Sequence, residues 1–272
     1  MGRRATLGRA NVLARGKLGT IMNRIFIALC QQSLLALVAV AGAAASETNH
    51  PSAPDAGQPN HGGDQPAIEC PLAKHGVHPG DLHPFKETEK YIAFLERPDR
   101  AKWQRPDAVV AALGLSGNET VVDVGAGSGY FSFRLARALP RGIVIATDIQ
   151  PEMIRHMHHK AMSQGVQNLR AVLGDGEDPG ISPDADLVFV CDVLHHVPNQ
   201  PSWLGKLARE MKPGARLALV EFKEGKLPQG PPERLKLPRA KLIELTKNAG
   251  LVLDEEKPKL LPYQTFLVFR KP

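Results

Sequence analysis

Cysteine is scarce in this 272-residue chain, which has only Cys30, Cys70 and Cys191. Cys30 falls in an N-terminal leader and Cys191 in an apolar run that reads as a buried strand. No disulfide framework or cysteine-based zinc site can be assembled from such a set. Charge of one sign is also missing where a nucleic-acid face would need it. The formal net charge is +6, from 34 basic and 28 acidic residues. Six of the bases (Arg3, Arg4, Arg9, Arg15, Lys17 and Arg24) precede Ile25 with no acid among them, and the remaining 28 match the 28 acids. The basic excess belongs to the leader, so no nucleic-acid partner is expected.

Long hydrophobic runs are few, and the one that stands out is Ile25 to Ala45, ending in Ala43-Ala44-Ala45-Ser46. Basic residues before it and small residues at its end have the layout of a secretory signal peptide, with Met22 as an alternative start. The competing reading is an uncleaved anchor, since the run is just long enough to span a bilayer. Either reading places the following domain outside the cytoplasm, exported or membrane-associated. From Glu47 to about Pro84 the chain is rich in Pro, Gly, Asp, Asn and His, a composition that reads as a flexible linker. His75, His78 and His83 lie there with Cys70 upstream, as do His50 and His61. Their spacing lacks a helical ligand pair, so no metal site is assigned. The expected organisation is a signal or anchor over 1–46, a linker over 47–84 and a domain over 85–272.

Within the domain, short apolar runs alternate with amphipathic stretches. Strands are expected at Thr120 to Val124, Ile143 to Ile149, Leu169 to Leu173, Ala185 to Val193 and Arg216 to Phe222. Helices are expected at Tyr130 to Leu139, from Pro151 onward, at Trp203 to Met211 and at Pro238 to Ala249. Two last strands, Val252 to Glu255 and Phe266 to Phe269, have no helical pattern between them and suggest an antiparallel hairpin closing one edge. The fold class is α/β, a doubly wound, mostly parallel sheet with helices on both faces.

Directly after the first strand comes Asp123-Val124-Gly125-Ala126-Gly127-Ser128-Gly129-Tyr130. A glycine-rich turn at the carboxyl end of a first strand lets a ligand approach the backbone closely. Dinucleotide enzymes place G-x-G-x-x-G there. Here the spacing is G-x-G-x-G, and Asp123 stands two positions before the first glycine. An acid there suits a ligand with a positively charged amino group and works against a pyrophosphate, which favours S-adenosylmethionine over NAD. Asp148, beside Ile149, ends the second strand, where a carboxylate can accept both ribose hydroxyls. Asp175, beside Gly176, follows the third and can bond an adenine amine. Asp192 lies near the end of the fourth, beside the sulfonium or the incoming substrate. Together they set an acid at the carboxyl ends of four successive strands, where open α/β sheets bind ligands.

These motifs, with Thr147-Asp148-Ile149, Gly174-Asp175, Asp186 to Val197 and Lys212-Pro213-Gly214, resemble those of class I S-adenosylmethionine-dependent methyltransferases. The resemblance covers about Lys86 to Arg270. It implies a Rossmann-like seven-stranded sheet with the last strand antiparallel. It also implies that Asp123 and the glycines hold the methionine moiety, Asp148 the ribose and Asp175 the adenine. Tyr91 to Pro106 looks like a lead-in that folds over the cofactor, making Trp103 and Gln104 candidate pocket residues. His195 and His196 follow the fourth strand at the site mouth, where a general base would sit, and an imidazole titrates near neutrality. Tyr130 is a weaker candidate for lining the site.

The expected function is methyl transfer to a small-molecule or lipid-like acceptor. Two alternatives stand beside it: an exported binding module on a methyltransferase scaffold, and an NAD-dependent oxidoreductase, which the glycine spacing disfavours. An export signal and a cofactor made in the cytoplasm are in conflict: either the leader is uncleaved and leaves the domain in contact with the cytoplasmic supply, or a periplasmic domain meets its cofactor in an unusual place.

Overall fold

A computed structural model of the chain describes residues 85–272. The leader, the linker with its five histidines, Cys30 and Cys70 lie outside the described residues. Three short helices come first: α1 (Phe85–Leu95), α2 (Arg100–Gln104) and α3 (Pro106–Ala112). The alternating part then runs β1 (Thr120–Val124), α4 (Ser132–Ala138), β2 (Ile143–Asp148), α5 (Pro151–Ser163), β3 (Leu169–Leu173), β4 (Leu187–Cys191), α6 (Gln200–Glu210) and β5 (Arg216–Phe222). It closes with α7 (Arg239–Asn248), β6 (Val252–Glu256) and β7 (Gln264–Arg270).

The seven strands form one sheet in the order β3-β2-β1-β4-β5-β7-β6. The first five in that order are parallel, and β7 runs antiparallel to both β5 and β6. The final pair does make an antiparallel hairpin, but β7 inserts between β5 and β6 and leaves β6 as the edge. Composition explains the choice. Every residue of β7 except Arg270 is buried, while β6 carries Asp254, Glu255 and Glu256. Charges blunt an exposed strand edge against pairing with another chain.

β4, Leu-Val-Phe-Val-Cys, is buried along its whole length, as a strand covered by helices on both faces must be. On one face Leu135, Leu139, Ile154 and Met157 pack with Val109 and Leu113 against Val121, Phe189 and Val220. On the other, Trp203, Leu204 and Leu207 of α6 and Leu242 and Leu245 of α7 pack against Val188, Val190 and Leu219. Two expected boundaries contract. β4 begins only at Leu187, because the Asp186 side chain turns to accept from Thr120 N at 2.8 Å. It ends at Cys191, because Asp192 takes a positive φ of 59° and leaves the extended path.

Candidate functional site

β1 runs straight into the glycine turn. Gly125 has φ +69°, and a Cβ there would stand 2.4 Å from Val193 Cγ2. Gly127 has φ +57°, and its Cβ would meet Leu95 Cδ1 at 3.2 Å. Side chains are excluded from both positions by backbone conformation and by space. The turn is stitched to β2: Ala126 N donates to Thr147 O at 2.9 Å, and Gly127 N to Asp148 Oδ2 at 2.8 Å. Ser128 Oγ is buried in the turn without a hydrogen-bond partner in the protein.

The acids differ in setting. Asp123 is 3% exposed, with Ser132 Oγ donating to it at 2.6 Å. Burial pushes its carboxyl up to about 7, Ser132 pulls it back, and the charge of Asp148 adds to the rise. Asp148 accepts from Gly127 N and, through Oδ1, from Gln150 N at 2.8 Å. Burial raises it to about 6 despite those two backbone donors. Each of its oxygens still has a lone pair for a ligand hydroxyl. Ile149 is partly buried beside it. Asp175 is exposed in a turn that includes Gly176, and its Oδ1 accepts from Glu177 N at 2.8 Å.

Asp192 stands just past β4 and draws together segments distant in sequence. Gln104 Nε2 donates to its Oδ2 at 2.9 Å, and Gln264 Nε2 to its Oδ1 at 2.7 Å. Arg100 Nε in turn bonds Gln104 Oε1, and the guanidinium lies 4.1 Å over the Tyr130 ring. Burial, followed by the charge of Glu221, raises Asp192 to about 6. Asp is among the residues that best tolerate a left-handed backbone, and such strain gathers at functional sites.

His195 and His196 lie in a single 3-10 turn, Leu194–His196, with ring centroids 4.0 Å apart. His195 is buried, and its Nδ1 is 2.7 Å from Glu221 Oε2. Glu221 Oε1 also accepts from Leu194 N at 2.7 Å. Burial works against the imidazolium, but the adjacent Glu221 carboxylate outweighs it and holds His195 above its ordinary value. His196 goes the other way: burial, then the charge of His195, lowers it to about 3. His195 therefore favours the protonated form and His196 the neutral one.

Sequence reasoning named Asp123, the glycines, Asp148, Asp175, Asp192, Trp103, Gln104 and both histidines. The structure gathers all but Asp175 along the buried carboxyl edge of the sheet, with Asp175 in its exposed turn. Glu221, Gln264, Ser132 and Arg100 were missed. Glu221 did leave a signal, being a carboxylate inside a strand otherwise apolar from Leu217 to Phe222. Gln264 left none. Among the described residues no helix is long and apolar enough to cross a membrane, and no cluster of three or more His, Cys, Asp or Glu side chains is arranged to hold a metal ion.

Residues 115–255, just over half of the chain, match a family model described as a methyltransferase domain. A demethylmenaquinone methyltransferase of Tropheryma whipplei is 30% identical over 163 residues, covering 57% of this chain and 64% of that one. A trans-aconitate 2-methyltransferase of Mycobacterium tuberculosis is 31% identical over 133 residues, covering 49% of this chain and 47% of that one. The chain thus spans less than two thirds of the length of either relative. Among solved structures, an S-adenosylmethionine-dependent methyltransferase from Aquifex aeolicus superposes with a TM-score of 0.63 at 24% identity, over 68% of this chain and 98% of that one. That last likeness is one of fold.

Proposed function

Because this chain belongs to the family of class I S-adenosylmethionine-dependent methyltransferase domains, we propose that it transfers a methyl group to an uncharged small-molecule acceptor at the carboxyl ends of β4 and β5 and the amino end of β7. The observation that carries the reading is the pairing of a glycine turn closed to side chains with Asp123 and Asp148, both raised by burial and neither neutralised by an ion pair.

The residues fit the cofactor. Asp123 is a buried carboxylate in want of a cation, which an amino-acid ammonium supplies. Asp148 offers two oxygens at the end of β2, suited to a ribose diol. Ser128 Oγ is a buried hydroxyl without a protein partner, facing the same turn. Asp175 is free enough in its exposed turn to reach a nucleobase amine. S-adenosylmethionine, when bound, contributes a methyl group on a sulfonium whose departure as a thioether is easy. The protein's share is then alignment and exclusion of water. Leu95 over Gly127 and the buried ring of Tyr130 supply that exclusion at the turn.

Where the acceptor must lose a proton, Asp192 is the base we assign. Its carboxylate, raised to about 6, is ionised at neutral pH and near enough to neutrality to take a proton. His195 has its Nδ1 committed to Glu221, and His196, at about 3, is a weak base. His195 with Glu221 then acts as a positioning pair: it fixes the turn after β4 and sets the charge beside Asp192.

The acceptor reading rests on charge. The Asp192 and Glu221 carboxylates already face the His195 ring and, through Gln104, the Arg100 guanidinium, so neither of these cations is left over to hold a polycarboxylate such as trans-aconitate, and a neutral ring system is the better fit. The relative named for demethylmenaquinone belongs to the compatible class. Isothermal titration of the full chain with S-adenosylmethionine, S-adenosylhomocysteine and NAD tests the cofactor. Binding of the first two that disappears in Asp148→Ala is expected. Binding of NAD alone, or of none by a folded protein, rejects the assignment.

A further inference from the structure

Three buried polar atoms around the site find no hydrogen-bond partner in the protein: Trp103 Nε1, Tyr130 Oη and Gln264 Oε1. Their residues are 8%, 7% and 1% exposed. A buried donor or acceptor left unpaired is costly, and native proteins leave few of them. The three belong to one connected cluster. Tyr130 lies under Arg100, Arg100 holds Gln104, and Gln104 and Gln264 grip the two oxygens of Asp192. Gln264 is paired across the sheet with Phe222, and the Trp103 ring packs 5.7 Å from Phe222 and 6.3 Å from Tyr263.

Chemistry fixes which way Gln264 points. A carboxylate needs a donor, so the amide nitrogen faces Asp192 and the carbonyl oxygen is turned away from it. That oxygen can only accept. Trp103 Nε1–H can only donate, and the Tyr130 hydroxyl can do either. The rings packed beside Trp103 are aromatic, Phe222 and Tyr263, and Phe222 is also the cross-strand partner of Gln264. Aromatic faces favour flat rings, and unpaired polar atoms set into them select the polar groups such a ring carries.

We infer that Gln264 and Trp103 recognise the methyl acceptor, and that it is a planar aromatic ring bearing a hydroxyl group and a second oxygen. The hydroxyl donates to Gln264 Oε1 and the second oxygen accepts from Trp103 Nε1–H. Because Gln264 also grips Asp192, the same side chain sets the ring beside the base. This inference rests on the proposed methyl-transfer reading and specifies its acceptor.

The test uses the full chain loaded with S-adenosylhomocysteine. The probes are catechol, its dimethyl ether veratrole, and trans-aconitate. Trp103 and Trp203 are the only tryptophans, so a Trp203→Phe background assigns the Trp103 indole N–H resonance. Catechol is expected to shift that resonance and to bind about tenfold more tightly than veratrole, the loss expected for one or two hydrogen bonds. Gln264→Met, which keeps the length and loses both the carbonyl and the amide nitrogen that grips Asp192, and Trp103→Phe, which keeps the stacking and loses the donor, should each weaken catechol by a similar factor. Unchanged affinity for S-adenosylhomocysteine certifies the fold of each variant. Should Gln264→Met lose that affinity, Trp103→Phe alone decides. Equal binding of veratrole, an unmoved indole resonance at saturation, preference for trans-aconitate or indifference to both substitutions overturns the inference. So does failure of every probe to bind at millimolar concentration while S-adenosylhomocysteine binds, and that result leaves the methyl-transfer reading standing. Loss of S-adenosylhomocysteine binding by the unsubstituted chain strikes that reading instead.

Discussion

Over β1 and β2 the ligand-facing groups come from short stretches of chain. Asp123 and its donor Ser132 are nine residues apart, and Gly127 and Asp148 are twenty-one apart, joined through one strand–turn–helix unit. Over β4, β5 and β7 the groups come from the two ends of the domain. Gln104 reaches Asp192 across 88 positions and Gln264 reaches it across 72. The first region is a local motif that any chain folding into this unit reproduces. The second exists only after the whole sheet has closed, with β7 inserted between β5 and β6. A cofactor common to many reactions suits the first kind of construction, and a specific acceptor suits the second.

If that division is right, breaking the acceptor end should abolish turnover and spare cofactor binding. Asp192→Asn is the sharpest case. We expect kcat to fall by roughly 10²–10⁴, the range for loss of a general base, with S-adenosylhomocysteine affinity unchanged. In the unsubstituted protein kcat/KM should rise with pH through about 6, as the Asp192 carboxylate becomes available, and then level off. A flat profile across that range would move the base elsewhere.

The converse change breaks the cofactor end. Asp123→Asn removes the buried carboxylate and should weaken S-adenosylhomocysteine by about 10–100-fold, the cost of one charge-assisted contact. The same change should stabilise the ligand-free protein at alkaline pH. Asp123 has a folded value of about 7 against roughly 3.9 unfolded, so the folded state holds the proton more tightly. Its contribution to stability is full below the unfolded value and is lost as pH rises through about 7. The variant keeps a neutral group there and should show a flatter dependence of Tm on pH. Cofactor affinity of the unsubstituted protein should fall as pH drops below about 7, because the ammonium then competes with a proton. Calorimetry at several pH values measures both effects.

Gly125→Ala probes the turn without touching a charge. A left-handed backbone costs a residue with a Cβ about 1–3 kcal/mol, and the added carbon would meet Val193 Cγ2 at 2.4 Å. Val193 follows Asp192 directly, so the two regions touch here. A loss of Tm together with weaker S-adenosylhomocysteine binding is expected. A drop in kcat well beyond what that weakening explains would show that the division between the ends leaks through Val193.

How much of this was legible follows the same line. Among the five parallel strands the central ones were plainest, because burial on both faces demands apolar runs such as that of β4, while β3 at the edge alternates, with Arg170 and Val172 exposed. The glycine turn was legible because only glycine suits its backbone, and the acids because each ends its own strand. The insertion of β7 was not: a hairpin pattern states that two strands pair, and leaves open which of them takes the edge. Gln264 was invisible for a related reason. A glutamine at a strand start is an ordinary polar residue until tertiary structure sets it against Asp192. Glu221 was readable in principle, since a carboxylate in a strand buried on both faces needs a partner, and His195 was already in view.

The smallest effect is expected where α1 crosses the cofactor turn. Glu96, just beyond α1, pairs with Lys160 and lies 3.7 Å from His156 Nε2, both on α5. These partners outweigh burial and hold its carboxyl at about 2. The adjacent Leu95 covers Gly127. Glu96→Gln should cost about 0.2–1 kcal/mol, as partly exposed ion pairs do. Because the folded value lies below the unfolded one of roughly 4.3, the contribution is present above that value and is lost as pH falls toward about 2. The variant should therefore lose stability at neutral pH and match the unsubstituted protein in acid. If Leu95 is part of the cofactor end, S-adenosylhomocysteine should also dissociate a few-fold faster from the variant, with acceptor affinity unmoved. A stability loss with unchanged dissociation would make α1 packing alone, and would confine the cofactor end to the strand–turn–helix unit between β1 and Asp148.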